Sequence, residues 1–139
     1  MATAFRSEAD RLSFIHPDTM PDQYALVGIG QCMAPLIPDG TLMVFDKRPE
    51  PRPGDIVGLV FTREAAKRWG LPGLFKRLAL ALPPSDECGG LVVVDQLNPP
   101  RRYCIPTGDV LAVHKAVGTA ESDGDGQARF YPSKVEAWS

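Results

Sequence analysis

Cys32 sits in the segment Gly30-Gln31-Cys32-Met33-Ala34-Pro35. The segment meets some local requirements of a nucleophile. Gly28, Gly30 and Pro35 supply turn chemistry that can present a side chain. A thiol, with an ordinary pKa of about 8.5, ionises far more easily than a hydroxyl. It has no local partner for its proton. Lys76 lies 44 residues further on, in the apolar run LFKRLALAL. Its neighbours Leu74, Phe75, Leu78 and Leu80 make a desolvated amine plausible. Each residue also has a plainer reading. A free cysteine is most often a small buried hydrophobe, and most lysines are solvated strand charges.

Other candidates are weaker. His16, His114, Cys88 and Cys104 contain no pair with metal-ligand spacing, so no metal site is expected. There is no Gly-rich phosphate loop and no Ser-His-Asp segment, and no cofactor is expected. Arg63, Lys67, Arg68, Lys76, Arg77, Arg101 and Arg102 fall within forty positions. A solvated face is the commoner explanation of such a group than a patch for an acidic partner.

The elements that must position Cys32 and Lys76 are mostly strands. Residues 1–23 form an arm in which Phe5, Ala9 and Leu12 fit one face of a short helix, stopped by Pro17 and Pro21. Strands are expected at Tyr24–Ile29, Thr41–Asp46, Ile56–Phe61, Leu74–Leu82, Leu91–Asp95 and Val110–Val117, with a short Tyr103–Ile105 segment. Asp39, Gly40, Gly54 and Asp55 are turn residues. Arg63–Trp69 is the one convincing helix after the arm, with Glu64 and Arg68 at i,i+4 and Gly70 as its stop. Asp123-Gly124-Asp125-Gly126 reads as a hairpin turn into Gln127–Tyr131. Six or seven short strands and one short helix point to a mainly β, barrel-like fold.

Three of these segments recur, in order, in a known constellation. Gly30–Gly40, then Arg52-Pro53-Gly54-Asp55-Ile56-Val57, then Phe75-Lys76-Arg77-Leu78 resemble the Ser-Lys peptidase domain of the LexA and UmuD self-cleaving proteins and the bacterial signal peptidases. Leu91–Asp95 with Asn98-Pro99, and Asp109–Val113, resemble the later strands of that domain, the last being the one that closes its barrel. The resemblance covers Tyr24 to Gly118, about 95 residues.

The resemblance implies a LexA/signal-peptidase-like β-ribbon barrel over residues 24–118, an arm at 1–23 and a hairpin or tail at 119–139. It implies a catalytic pair of Cys32 and Lys76, with Gly30, Met33 and Pro35 as groove and structural support. Two positions depart from the family. Cys32 stands where the family has Ser, and His114 where the family has Gly. With cysteine, the pair tends towards thiolate and ammonium, so the lysine becomes an acid instead of a base. The family's cut bond, commonly Ala-Gly or Cys-Gly, lies upstream of the nucleophile. Neither step occurs before Cys32, so self-cleavage is not expected.

Composition limits what else the chain can do. It has 139 residues, 44% hydrophobic and 23% charged, with a net charge of −2. That balance argues against a protein built to grip nucleic acid. Fourteen Pro and thirteen Gly supply 27 of the residues, which favours short strands and many turns. No apolar run approaches the ~18 residues of a membrane span, and Arg6, Glu8 and Asp10 stand where a signal peptide would be apolar. Three cysteines without a C-x-x-C pair suit a reducing, cytoplasmic setting. The expectation is a peptidase-like hydrolase acting on a peptide or protein, with no nucleic-acid or membrane partner. The alternative is an inactive module that holds a peptide or partner in the same groove. A homodimer is expected, through the Gln127–Tyr131 edge.

Overall fold

The structure, a computed structural model, describes residues 16–27, 33, 36–37, 40–85, 89–122 and 128–132. The expected arm helix, Gly28, Gly30, Cys32, Pro35, Cys88 and the 123–126 turn lie outside them. The described chain is mainly β. After a single turn of 3-10 helix at Pro17–Thr19 come strands β1 (Gln23–Val27), β2 (Leu42–Asp46) and β3 (Ile56–Phe61). Helix α1 (Arg63–Trp69) follows, then β4 (Gly73–Leu82), β5 (Leu91–Leu97) and β6 (Pro100–Pro106). A second 3-10 turn, Thr107–Asp109, leads into β7 (Val110–Ser122), and β8 (Ala128–Pro132) ends the described chain.

All strand pairs are antiparallel. Their order is β1-β2-β7-β3-β4-β5-β6, with β8 beside β7. Among the described residues β1 pairs only with β2, and β6 only with β5, so the sheet is open. The strand beginning at Val110 was expected to close a barrel. It lies inside the sheet instead, with β2 on one side and β3, then β8, on the other.

Both faces of the sheet are covered. On one face Val57, Leu59, Phe61, Leu78, Val92, Val94 and Ile105 pack with Ala65 of α1. On the other, Tyr24, Met43, Phe45, Ile56 and Ala116 pack with Met33 and Ile37 from the segment between β1 and β2. Coverage on both sides explains why every residue of β3, IVGLVF, is buried instead of alternating. A smaller third cluster joins Ala25, Val44 and Ala120.

The helix matches its expected ends. The Thr62 hydroxyl accepts from the Ala65 N–H at 3.2 Å, and Gly70 ends the helix in the left-handed region at φ 76°. Trp69 stacks on Phe61, with ring centroids 5.2 Å apart. Arg68 donates to Asp109 at 2.7 Å, tying α1 to the turn before β7 instead of pairing along the helix with Glu64. Among the described residues no helix is long and apolar enough to cross a membrane.

Candidate functional site

β4 carries Lys76, and its alternation sets where that side chain goes. Leu74 and Leu78 pack into the cluster under α1, while Phe75 packs into the Met33 cluster. Lys76 shares the parity of Leu74 and Leu78 and lies opposite Val57 on β3, itself fully buried. Lys76 is only 6% exposed. It is therefore set apart from the solvated basic face suggested by its neighbours in sequence. Arg63, Lys67, Arg68, Arg101 and Arg102 are exposed, whereas Arg77 is half-buried.

Of the segment around Cys32, the structure describes Met33, Leu36, Ile37 and Gly40. Met33 is buried, and its carbonyl accepts from the Ile37 N–H at 2.8 Å. This one-turn bond and the packing of both residues fasten the segment to the sheet. Met33 shares a cluster with Phe75, the residue before Lys76. Cys32, Gly30 and Pro35 are outside the described residues, so the geometry of the Cys32–Lys76 pair is not part of the structure.

The turn that leads into β3 matches its motif. Gly54 adopts φ 96°, and the Asp55 carboxylate accepts from the Arg52 N–H at 2.8 Å. The Gly54 N–H and the Asp55 carbonyl bond to the two sides of the Leu78 backbone, each at 2.8 Å. The RPGD turn is thus stitched to β4 two residues beyond Lys76.

A second polar constellation was not anticipated. His114 on β7 and Tyr24 on β1 are 5% and 1% exposed, and the Tyr24 hydroxyl bonds to His114 Nδ1. Their rings meet edge to face, with centroids 5.5 Å apart, and Tyr24 stacks on Phe45. Burial pushes the Tyr24 phenol well above its ordinary range. Burial, followed by the charge of Lys47, pushes His114 below its ordinary value, against a smaller opposing effect of Asp46. The phenol and the ring nitrogen can each donate or accept, so either imidazole tautomer makes this bond.

In the sequence His114 stood out only as a departure from the family's Gly. It lies well inside β7, which runs on to Ser122. Its sequence signal was its place in the alternating set Val110, Ala112, His114, Ala116 and Gly118: an imidazole among small and apolar residues needs a buried partner. Nothing local identifies that partner as Tyr24, ninety residues away.

Asp46, also buried, accepts from Gln23 Nε2 at 3.0 Å and from the Arg48 backbone and guanidinium at 2.7–3.0 Å. These bonds, those from the Arg48 side chain foremost, hold its carboxyl far below the usual range. Lys47 Nζ donates to the carbonyls of Pro17 and Met20 at 2.8 and 3.0 Å, securing the turn before β1. Among the described residues no three His, Cys, Asp or Glu side chains are grouped to hold a metal ion. Comparison of the chain with protein-family models, curated proteins and solved structures finds no match.

Proposed function

We propose that the chain is a peptidase-type β domain in which Cys32 is the nucleophile and Lys76 its proton partner. The observation that carries this reading is the burial of Lys76 at 6% exposure on a strand between two leucines of the core. A lysine excluded from water is costly unless it is paired or neutral, so its burial calls for a partner or a role.

In this reading the Cys32 thiolate adds to a peptide carbonyl carbon. The backbone N–H of Cys32 or of a close neighbour holds the oxyanion. The C–N bond then breaks, and the Lys76 ammonium gives its proton to the leaving amine. The resulting neutral Lys76 takes a proton from water as that water hydrolyses the thioester, which restores thiolate and ammonium. The partner is a peptide or protein, and no cofactor takes part. The same reading places the domain in the cytoplasm as a homodimer.

One observation favours a second reading, in which a peptide is held and not cut. β4 continues beyond β3, and Leu80 and Leu82 there are 44% and 42% exposed. That edge suits an added strand.

The test is the rate of iodoacetamide labelling against pH, with Cys88 and Cys104 replaced by Ser. Lys76→Ala should raise the midpoint for Cys32 by roughly one unit or more, because the stabilising charge is lost. Lys76→Arg should keep the low midpoint and abolish turnover of a peptide library, since a guanidinium does not release its proton. Equal midpoints in wild type and Lys76→Ala remove the dyad. A low midpoint without turnover in the wild type leaves the binding module.

A further inference from the structure

The ribbon of β4, β5 and β6 reaches past the rest of the sheet. The last pair of β3 with β4 is Ile56 with Arg77, and the Gly54–Asp55 turn, bonded to the Leu78 backbone, then leads the chain away. β4 runs on to Leu82 and keeps β5 on its other side. Among the described residues nothing pairs with Ala79–Leu82 on the side that β3 has left. The end of the ribbon is fixed in shape. Gly90, at φ 85°, lies so close to the Leu82 carbonyl and the Thr107 hydroxyl that a Cβ there would meet both at 2.7 Å. The Thr107 N–H also donates to the Gly90 carbonyl at 3.2 Å.

A β-bulge decides which face of this end is apolar. Leu78 stands opposite Val94 and Leu80 opposite Val93, so Ala79 is an extra residue and the alternation reverses there. Leu78 packs with Val92 and Val94 under α1. Leu80 and Leu82 fall with Val93 on the other face, where both leucines are exposed. An unbroken alternation would have turned them towards the core. The bulge sets them in solvent instead, beside an open backbone edge.

The dimensions of that edge select its occupant. It is bounded at Leu78 by the Gly54–Asp55 turn and at the other end by Pro83, which has no N–H. The window is therefore Ala79–Pro83, with Ala81 at its centre. An antiparallel copy of the same segment, related by a two-fold axis at Ala81, fits this window without offset. Leu80 of each copy then faces Leu82 of the other, which joins four leucines on one face. On the opposite face only the two small Ala81 side chains meet at the axis. Charge agrees with this pairing. Residues 78–85 and 89–94 carry no ionisable side chain, so like meets like with no charge stranded. The β6 margin, with Arg101 and Arg102, would set like charges together in the same arrangement.

We propose that Ala79–Pro83 is a self-association edge, where β4 pairs antiparallel with β4 of a second copy about a two-fold axis at Ala81 and the two chains share one continuous sheet. This deepens the homodimer of the proposed function by giving it an edge other than Gln127–Tyr131. It does not depend on the Cys32–Lys76 pair, which thiol labelling tests separately. Five residues a side is far below the roughly 20–30 of a standard interface, so the dimer is weak, with a Kd of about 10 μM to 1 mM.

Sedimentation equilibrium of the full chain should show the 15.1 kDa species doubling in mass over that range of concentration. Leu82→Lys withdraws one leucine of each copy from the cluster and should raise the Kd by about tenfold or more. Its urea midpoint should match the wild type, because the side chain is exposed in the single chain. A covalent trap reads the axis itself. With Cys32, Cys88 and Cys104 replaced by Ser, Ala81→Cys sets two thiols directly across the pairing, with Cβ atoms about 4.5–5.5 Å apart. Mild oxidation should yield a disulfide-linked dimer, whereas Leu111→Cys, at another exposed leucine, should stay single. A mass that remains that of one chain up to about 2 mM would overturn the proposal and leave the edge to a foreign peptide. An unchanged Kd in Leu82→Lys, or equal crosslinking from both positions, would overturn it by placing the contact on another margin.

Discussion

At the scale of single residues, the buried polar groups make the sharpest tests. Tyr24→Phe keeps the ring that stacks on Phe45 and deletes only the hydroxyl that serves His114. It leaves a buried ring nitrogen without its hydrogen-bond partner, at a cost of about 1–3 kcal/mol. Urea denaturation at neutral pH should show that loss without a change in slope. Asp46 provides a test in acid. Its folded-state pKa is depressed by Arg48 and Gln23, so its contribution is complete above about pH 4 and is lost as pH falls through and below that value. Wild-type stability should therefore decline below about pH 4, and Asp46→Asn, less stable at neutral pH, should lack that part of the decline. A stability profile with the same acid limb in both proteins would place the effect elsewhere.

Among the elements, what could be read in advance depended on how local the cause was. The end of α1 was legible because Gly70 acts within one turn of the helix, whereas the cap at Thr62 was not singled out. The RPGD turn was legible because Gly54 and Asp55 act on their own backbone. β6 was read as a short segment at Tyr103–Ile105, since Pro100, Arg101, Arg102 and Pro106 are poor strand formers. It is an edge strand, where proline and charge are tolerated on the unpaired side. β7 was expected to stop at Val117, before Gly118. Gly118 is instead buried between Val44 of β2 and Pro132 of β8, and those two ladders carry the strand through it. The burial of Lys76 could be foreseen from its apolar neighbours, but Tyr24 as partner of His114 could not, because only the strand order joins them.

Two glycines test the elements themselves. Gly70→Ala forces a side chain into the left-handed region and should cost about 1 kcal/mol. At Gly58 a Cβ would sit 3.0 Å from the Phe45 ring, which is fully buried, stacked on Tyr24 and tilted against Phe75. Gly58→Ala should cost about 1–3 kcal/mol through overpacking. Thermal melts of the two variants should rank them in that order.

Seen whole, the sheet treats its margins differently. The β6 margin carries Arg101, Arg102 and two prolines, which discourage strand addition. The end of β4 has only Ala79, Leu80, Ala81 and Leu82 before Pro83. Leu80→Lys should change stability by no more than about 0.5 kcal/mol, because the side chain is already exposed. It should also raise the concentration at which light scattering first detects association. A large loss of stability would mean that Leu80 contributes to the core.

The place of β7 also governs the order in which the molecule can be made. β2 and β3 are separated by nine residues in the chain, yet they are not neighbours; β7, with 48 residues between it and the end of β3, is inserted between them. Until Val110–Ser122 has left the ribosome, the growing chain holds two unjoined ribbons, β1–β2 and β3 to β6. Each has an unpaired margin made of its most apolar strand. Sequence separation of this kind slows folding, since the loop must close before the contact rewards it. A chain ending at Asp109 should lack the cooperative unfolding transition of the full protein and should bind a dye for exposed apolar surface. Supplying the missing strand in trans, as a peptide of residues 110–122, should restore part of that transition, so a strand synthesised after both ribbons acts as the clasp that turns them into one sheet.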